Sequence, residues 1–228
     1  ENNFGPISLF NGDLDGNGHT ISGIRIYSGG NSKNQTGDSN KALFGVVLQT
    51  QGNFGTKIHD LTLADTRITG YWMVGAIVGD NQGATIERCN VTSTVAIHSV
   101  QDGANAHGGI VGWNSNGSIN NCTSAATLTA TNANEVTSFG AICGYNQSLG
   151  KLTGNLAVGA TVPQVKDNKH GAICGRNGGE TSSHTNNYYI SCTVAGTSNA
   201  TGVGTNGTDI EENHGALPAY SITEGSAE

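Results

Sequence analysis

Charge is scarce in this chain. Only 12% of its 228 residues are Asp, Glu, Lys or Arg, and ten basic residues face seventeen acidic ones, for a formal charge of −7. No cluster of Lys or Arg occurs anywhere along it. Nucleic-acid binding draws most of its affinity from phosphate neutralisation, so that partner class is excluded, and anionic lipid surfaces are disfavoured for the same reason. Long apolar runs are missing too, none nearing the ~18 residues of a membrane span, so membrane insertion of this segment is not expected. The Ala, Glu, Lys and Leu of a coiled coil or helical bundle are also lacking. The five cysteines (Cys89, Cys122, Cys143, Cys174, Cys192) are an odd number without CxxC spacing, which fits neither a zinc site nor a disulfide-stapled mini-protein.

What is abundant is glycine (35 residues), asparagine (26) and threonine (25), alongside 35% hydrophobic residues. That apolar share is too large for a disordered tail. The mixture describes short β-strands joined by Gly/Asn/Thr turns. The chain opens at Glu1 with neither Met nor signal peptide and reads as a trimmed mature segment, one domain of a longer protein.

A repeat organises the sequence. Val74-Gly-Ala-Ile-Val-Gly-Asp-Asn81 recurs as His107-Gly-Gly-Ile-Val-Gly-Trp-Asn114, Phe139-Gly-Ala-Ile-Cys-Gly-Tyr-Asn146 and His170-Gly-Ala-Ile-Cys-Gly-Arg-Asn177. Ala42-Leu-Phe-Gly45 precedes these copies and Thr201-Gly-Val-Gly-Thr-Asn206 follows them. The steps from Gly45 through Gly79, Gly112, Gly144, Gly175 and Gly204 are 34, 33, 32, 31 and 29 residues. A second segment keeps the same period: Ile21-x-x-Ile24-x-Ile26, Ile58-x-x-Leu61-x-Leu63, Ile86-x-x-Cys89-x-Val91, Ile119-x-x-Cys122, Leu152 and a degraded Tyr188-x-Ile190. Apolar alternation at Val95-x-Ile97 and Leu128 predicts a third short strand per unit.

Helical solenoids share this period, but paired glycines, β-branched residues and period-2 alternation disfavour helix. The prediction is an all-β, right-handed parallel β-helix of about six coils, a single domain over 1–228. Residues 1–20 form an opening or cap segment, and 180–228 a degenerate last coil with a terminal cap. Strands stacked at ~4.8 Å make a rod on the order of 29 Å long. Asn81, Asn114, Asn146, Asn177 and Asn206 then form a structural ladder at one corner, their amides bonding from coil to coil and tolerating a left-handed backbone there. Adjacent glycines supply positive φ or close backbone approach. Cys89 stacks on Cys122, and Cys143 on Cys174, within disulfide range, with packed thiols the favoured state.

The opening Gly5-Pro-Ile7, Phe10-x-Gly12 and Leu14-Asp-Gly-Asn-Gly-His-Thr-Ile-Ser-Gly-Ile24, followed by Ala42-Leu-Phe-Gly45 and Val74-Gly-Ala-Ile-Val-Gly79 with its copies, resembles the bacterial GLUG-motif repeat family. The likeness runs from about residue 4 to about residue 180. It implies a secreted or cell-surface bacterial protein with β-helical repeats, some relatives being adhesin-like or parts of larger peptidases. The repeat has no assigned catalytic residues, so none are carried over.

Several residue groups are candidate sites. Asp13-x-Asp15-x-Asn17-Gly18 looks like half a calcium loop, but Ile24 stands where an EF-hand needs its bidentate Glu; a turn, with Asp15 in the column of Asp80, is the better reading. His59-Asp60 and Glu87-Arg88 occupy matching positions on neighbouring coils, yet Asn120-Asn121 and Thr153-Gly154 continue those columns, so cross-coil exposed ion pairs are favoured over acid–base catalysis. His107 and His170 flank Phe139 and cannot share a metal; both read as structural. No metal, cofactor or catalytic group is predicted. Asp80, Trp113, Tyr145 and Arg176 form the column beside the Asn ladder. Pointing outward, Trp113 and Tyr145 make a flat aromatic strip flanked by a carboxylate and a guanidinium, suited to sugar faces. Packing under a loop is the competing account. The loops Ser28 to Lys41, Val100 to Ala106 and Thr131 to Thr137 are a second candidate surface.

The leading functional reading is therefore a non-catalytic extracellular interaction or stalk module, adhesin-like, contacting carbohydrate or a host or cell-surface protein. The alternatives are a purely structural spacer of a larger surface protein and, third, a polysaccharide-degrading β-helix enzyme.

Overall fold

The computed structural model describes residues 3–28, 39–50, 52, 55–100, 105–132, 138–165, 169–178 and 182–195. Asn206, the Thr201–Asn206 copy, the tail after Asp209 and most of the three polar loops lie outside the described residues.

Among the described residues the chain is strand and turn only, with no helix. It circles through five faces. The first stacks Ile7–Phe10, Phe44–Leu48, Val78–Gln82, Val111–Ser115, Cys143–Gln147 and Cys174–Gly178. The second stacks Asp13–Asp15, Lys57–His59, Thr85–Glu87, Ser118–Asn120, Lys151–Thr153 and Ser183–Thr185. The third holds Thr20–Ser22, Thr62–Ala64, Asn90–Val91, Thr123–Ser124, Leu156–Val158 and Tyr188–Ile190. The fourth holds Arg25–Ile26, Arg67–Gly70, Ala96–Ser99, Thr127–Ala130, Thr161–Val162 and Thr193–Val194. A fifth, four-stranded face contains Trp72–Gly75, Asn105–Gly108, Phe139–Gly140 and His170–Gly171. Every pairing is parallel, each strand bonding to its equivalent one circuit away, so the protein is a parallel β-solenoid six strands deep. One circuit is called a rung below. The strands number four or five per rung rather than three, because two- and three-residue strands leave almost no periodic signal.

Strands this short alternate one inward residue between two outward ones. Ile58, Ile86, Ile119 and Leu152 face one another in register and are fully buried. Ile68, Ile97 and Leu128 make a second inner column, also buried, with Val162 and Val194 on the rungs above. Each such side chain contributes on the order of 1.5–3 kcal/mol by leaving water. In the last copy of the second segment His184 takes the inward place of Leu152, and the sequence runs His184-x-x-Asn187-x-Tyr189. The expected Tyr188-x-Ile190 is corrected by one residue: Tyr189 is buried, while Tyr188 and Ile190 lie on the outer side, only partly covered.

The repeat's glycines serve close approach. A methyl at Gly108 would sit 1.9 Å from the Val111 carbonyl oxygen, because the fifth and first faces meet there at a sharp bend, and its backbone is not left-handed. Left-handed residues mark the corners instead. Asp60, Arg88, Asn121, Gly154 and Asn186, one on each of the second to sixth rungs, turn the chain from second face to third. Gly83, Asn116 and Ser148 turn it from first to second. The described ladder asparagines are not among them, so that expectation is corrected: the left-handed residue comes two positions after Asn81, Asn114 and Asn146.

Candidate functional site

The column Asp80, Trp113, Tyr145, Arg176 is in register across four rungs. Its geometry is not the flat outward strip that the sequence suggested. Trp113 and Tyr145 meet edge-on, with ring centroids 4.6 Å apart and planes at 60°. The Arg176 guanidinium lies 4.5 Å over the Tyr145 ring. Tyr145 is only 6% exposed and Asp80 8%, leaving Trp113 and Arg176 as the half-exposed members. Large side chains at ~4.8 Å spacing fill the gap between rungs by leaning on one another, and a cation closes the far side of the stack. Burial pushes the Asp80 carboxyl above its usual range, opposed by the amide of Gln82, which donates to it at 2.6 Å. Asp15 does not share this column; it pairs with His59 on the second face, while Asp80 pairs with Val46.

Beside this column the asparagines make a continuous inner ladder. The Asn81 amide donates to Asn114 Oδ1 at 2.8 Å, Asn114 to Asn146 at 2.8 Å, and Asn146 to Asn177 at 2.7 Å. Three of the amides also staple their own corners: Asn81 donates to the Ala84 carbonyl at 3.0 Å, Asn114 to that of Gly117 at 3.0 Å and Asn146 to that of Gly150 at 3.2 Å. Asn81 Oδ1 takes the Ala84 N–H at 3.1 Å. All four side chains are buried.

A second ladder stands at the next corner, where the expected Cys89–Cys122 stack continues into Asn155 and Asn187, which the sequence pattern did not reveal. Its members are Leu61, Cys89, Cys122, Asn155 and Asn187. Asn187 accepts the Asn155 N–H at 3.0 Å and donates to the Leu152 carbonyl at 2.9 Å. Asn155 does the same one rung earlier, accepting from Cys122 at 3.0 Å and donating to Ile119 at 2.8 Å. Cys122 occupies the same place: its sulfur accepts the Cys89 N–H at 3.5 Å and its thiol points at the Ile86 carbonyl at 3.6 Å. All five cysteines are free thiols; burial raises the Cys122 and Cys143 thiols well above their usual range. The available signal was spacing, since Leu152-x-x-Asn155 and His184-x-x-Asn187 keep the frame of Ile119-x-x-Cys122.

The charged residues of the first three rungs form one network on the second face. His59 sits opposite Glu87, and Arg88 reaches both oxygens of Asp60 at 2.8 and 2.6 Å. Lys57 bridges to Glu87 at 2.7 Å, and Arg88 to Glu87 at 2.6 Å. His59 lies between carboxylates, with Asp60 2.6 Å from Nδ1 and Asp13 3.2 Å from Nε2. The Arg88 guanidinium holds the Asp60 carboxyl well below the usual carboxylate range, and is itself raised by that bond. Ligand atoms of Asp15, His59 and Asp60 lie within 4.8 Å of one another, a donor set of the kind divalent ions use. Asp60, however, has both oxygens on Arg88. Asp15 Oδ1 accepts the Asn17 N–H at 2.7 Å, so the calcium-like stretch is a turn, with Asn17 and Gly18 left-handed.

His107, Phe139 and His170 stack in register. His107 meets Phe139 edge-on at 4.8 Å and is fully buried. Burial lowers its pKa to about 3, so it is a neutral ring. On the fourth face Ala96 interrupts an outward column between Arg67 and Thr127, leaving a notch of about 440 Å³ that His98 also lines. His98 is held by Thr129 at 2.9 Å and Thr131 at 3.1 Å. A small residue between two long ones was the signal for that notch.

No family model matches the chain, and no solved structure matches it. It is similar to Halomucin of Haloquadratum walsbyi, with 34% identity over 114 residues, which is 50% of this chain and 1% of that protein. The chain thus corresponds to a very small part of that relative's length.

Proposed function

We propose that this β-solenoid is a non-catalytic stalk or spacer module of a secreted or surface-displayed protein. The observation that carries the reading is where the polar and aromatic groups go. The aromatic column packs on itself, both corner ladders close on themselves, and the charged network ties the first three rungs together. Each device serves rung-to-rung cohesion, which is what a module that holds distance requires. The likeness to 1% of Halomucin, a mucin by name, supports a repeat unit within a very long chain. Membership of the GLUG-motif repeats belongs to the same proposal and rests on the motifs quoted above.

Glycan contact is the second reading, favoured by the partly exposed Trp113, which stands two rungs from Arg176 with Tyr145 between them. A glycan array probed with the chain and with Trp113→Ala separates the two. The spacer reading expects no selective binding by either protein. Selective binding lost in Trp113→Ala, with the fold intact, would replace it with the adhesin-like reading.

A further inference from the structure

The two ends of the solenoid differ. At the last rung the inner residues Tyr189 and Val194 are only 5% and 7% exposed. At the first rung Ile21, the counterpart of buried Leu63, is 36% exposed, Ile7 42% and Leu9 58%. Of seven exposed large hydrophobic residues among those described, five belong to this end: Phe4, Ile7, Leu9, Ile21 and Tyr27. Ile7–Phe10, Asp13–Asp15 and Thr20–Ser22 are the outermost strands of their sheets. Among the described residues it is the fourth face that is covered, where the Phe4 N–H reaches the Arg25 carbonyl at 2.7 Å and the Asn3 side chain bonds the Tyr27 backbone at 2.7 and 3.0 Å.

Charge alternates over the first three rungs of the second face. Asp13 and Asp15 face Lys57 and His59, and these face Thr85 and Glu87. The acidic pair of the first rung therefore has a basic neighbour on one side and a side-chain exposure of 63% and 60%.

We propose that the first rung is a docking edge for one further β-rung of this repeat's chemistry, with a basic residue opposite Asp13 and Asp15 and apolar residues opposite Ile7, Leu14 and Ile21. The same parallel backbone pairing recurs between successive rungs, and among the described residues no strand pairs with the outer edge of the first one. Open strand edges accept an added strand through backbone hydrogen bonds, and side-chain pockets set its identity. An in-phase rung resembling the second would place an isoleucine on Leu14, a leucine on Ile21 and a lysine on Asp13, continuing both the core and the charge alternation. The inference holds whether or not the module binds glycans.

The test is a graft in cis. A copy of Phe44–Ile77, 34 residues, replaces residues 1–6 and runs directly into Ile7, which keeps phase because Phe44 partners both Ile7 and Val78. Docking raises the thermal midpoint by roughly 5–10 °C over the parent chain, lowers apolar-dye fluorescence about twofold, and leaves the graft protease-resistant. Lys57→Glu in the grafted copy alone sets like charges against Asp13 and Asp15 and loses most of that rise. An unchanged midpoint with a protease-labile graft overturns the proposal. A Lys57→Glu graft that stabilises equally overturns the assigned chemistry. A parent chain that sediments as a dimer and becomes monomeric in Leu9→Lys would show that a second copy occupies the edge, which also overturns it.

Discussion

At the corner between the second and third faces, a thiol and an amide do the same work. Cys122 and Asn155 each accept the N–H of the residue one rung earlier and point a donor at that rung's carbonyl. The amide makes the shorter bonds, by about half an ångström or more, and sulfur is the weaker partner. Cys122→Asn is therefore expected to hold or raise stability. Cys122→Ala leaves the Cys89 N–H and the Ile86 carbonyl buried without that partner, at about 1–3 kcal/mol. Urea denaturation of both variants checks this, and equal losses would mean the thiol only fills space. The Cys89–Cys122 stack was legible, but its continuation through Asn155 and Asn187 was not, because the frame Ile-x-x-Leu was followed through apolar residues and the replacement of Cys by Asn looked like decay of the pattern. The converse error occurred at Asp80 and Tyr145. Their outward register was legible, but coverage depends on how long side chains lean, which no residue pattern encodes.

Within each element the balance is between short strands and strong corners. A three-residue strand gives few ladder bonds per rung, so corner side chains fix where the chain turns. The Asn ladder was legible because it repeats one residue type beside glycines that tolerate nothing larger. At Gly117 a methyl would lie 2.2 Å from the Asn81 amide nitrogen. The middle rung of the ladder has most to lose. Asn114→Ala removes the acceptor of Asn81, the donor to Asn146 and the staple to Gly117 together. The expected loss is about 2–4 kcal/mol, read as a lower urea midpoint with unchanged slope. Asn177→Ala, which loses only the bond from Asn146 among those described, should cost less; a reversed order would contradict the ladder's role. Strand number was not legible, since two-residue strands such as Phe139–Gly140 carry no period of their own.

For the whole molecule, the period of about 33 residues identified the solenoid because two independent segments kept it. The function follows less directly, since a stack of interchangeable rungs can hold distance, bind along its side or do both. Interchangeability is the claim on which the spacer reading depends. Thr85 and Ser118 are register partners, so deleting Thr85–Gly117, 33 residues, joins Ala84 to Ser118 and removes one complete rung in phase. Asn81 then meets Asn146, and the inner columns close over the gap. Small-angle X-ray scattering of this deletion beside the parent is the most direct measurement. A stack of equivalent rungs predicts a cooperatively folded monomer whose longest dimension is shorter by about 4.8 Å, with its cross-section unchanged. A deletion that unfolds, or folds with a different cross-section, would contradict a stack of equivalent rungs.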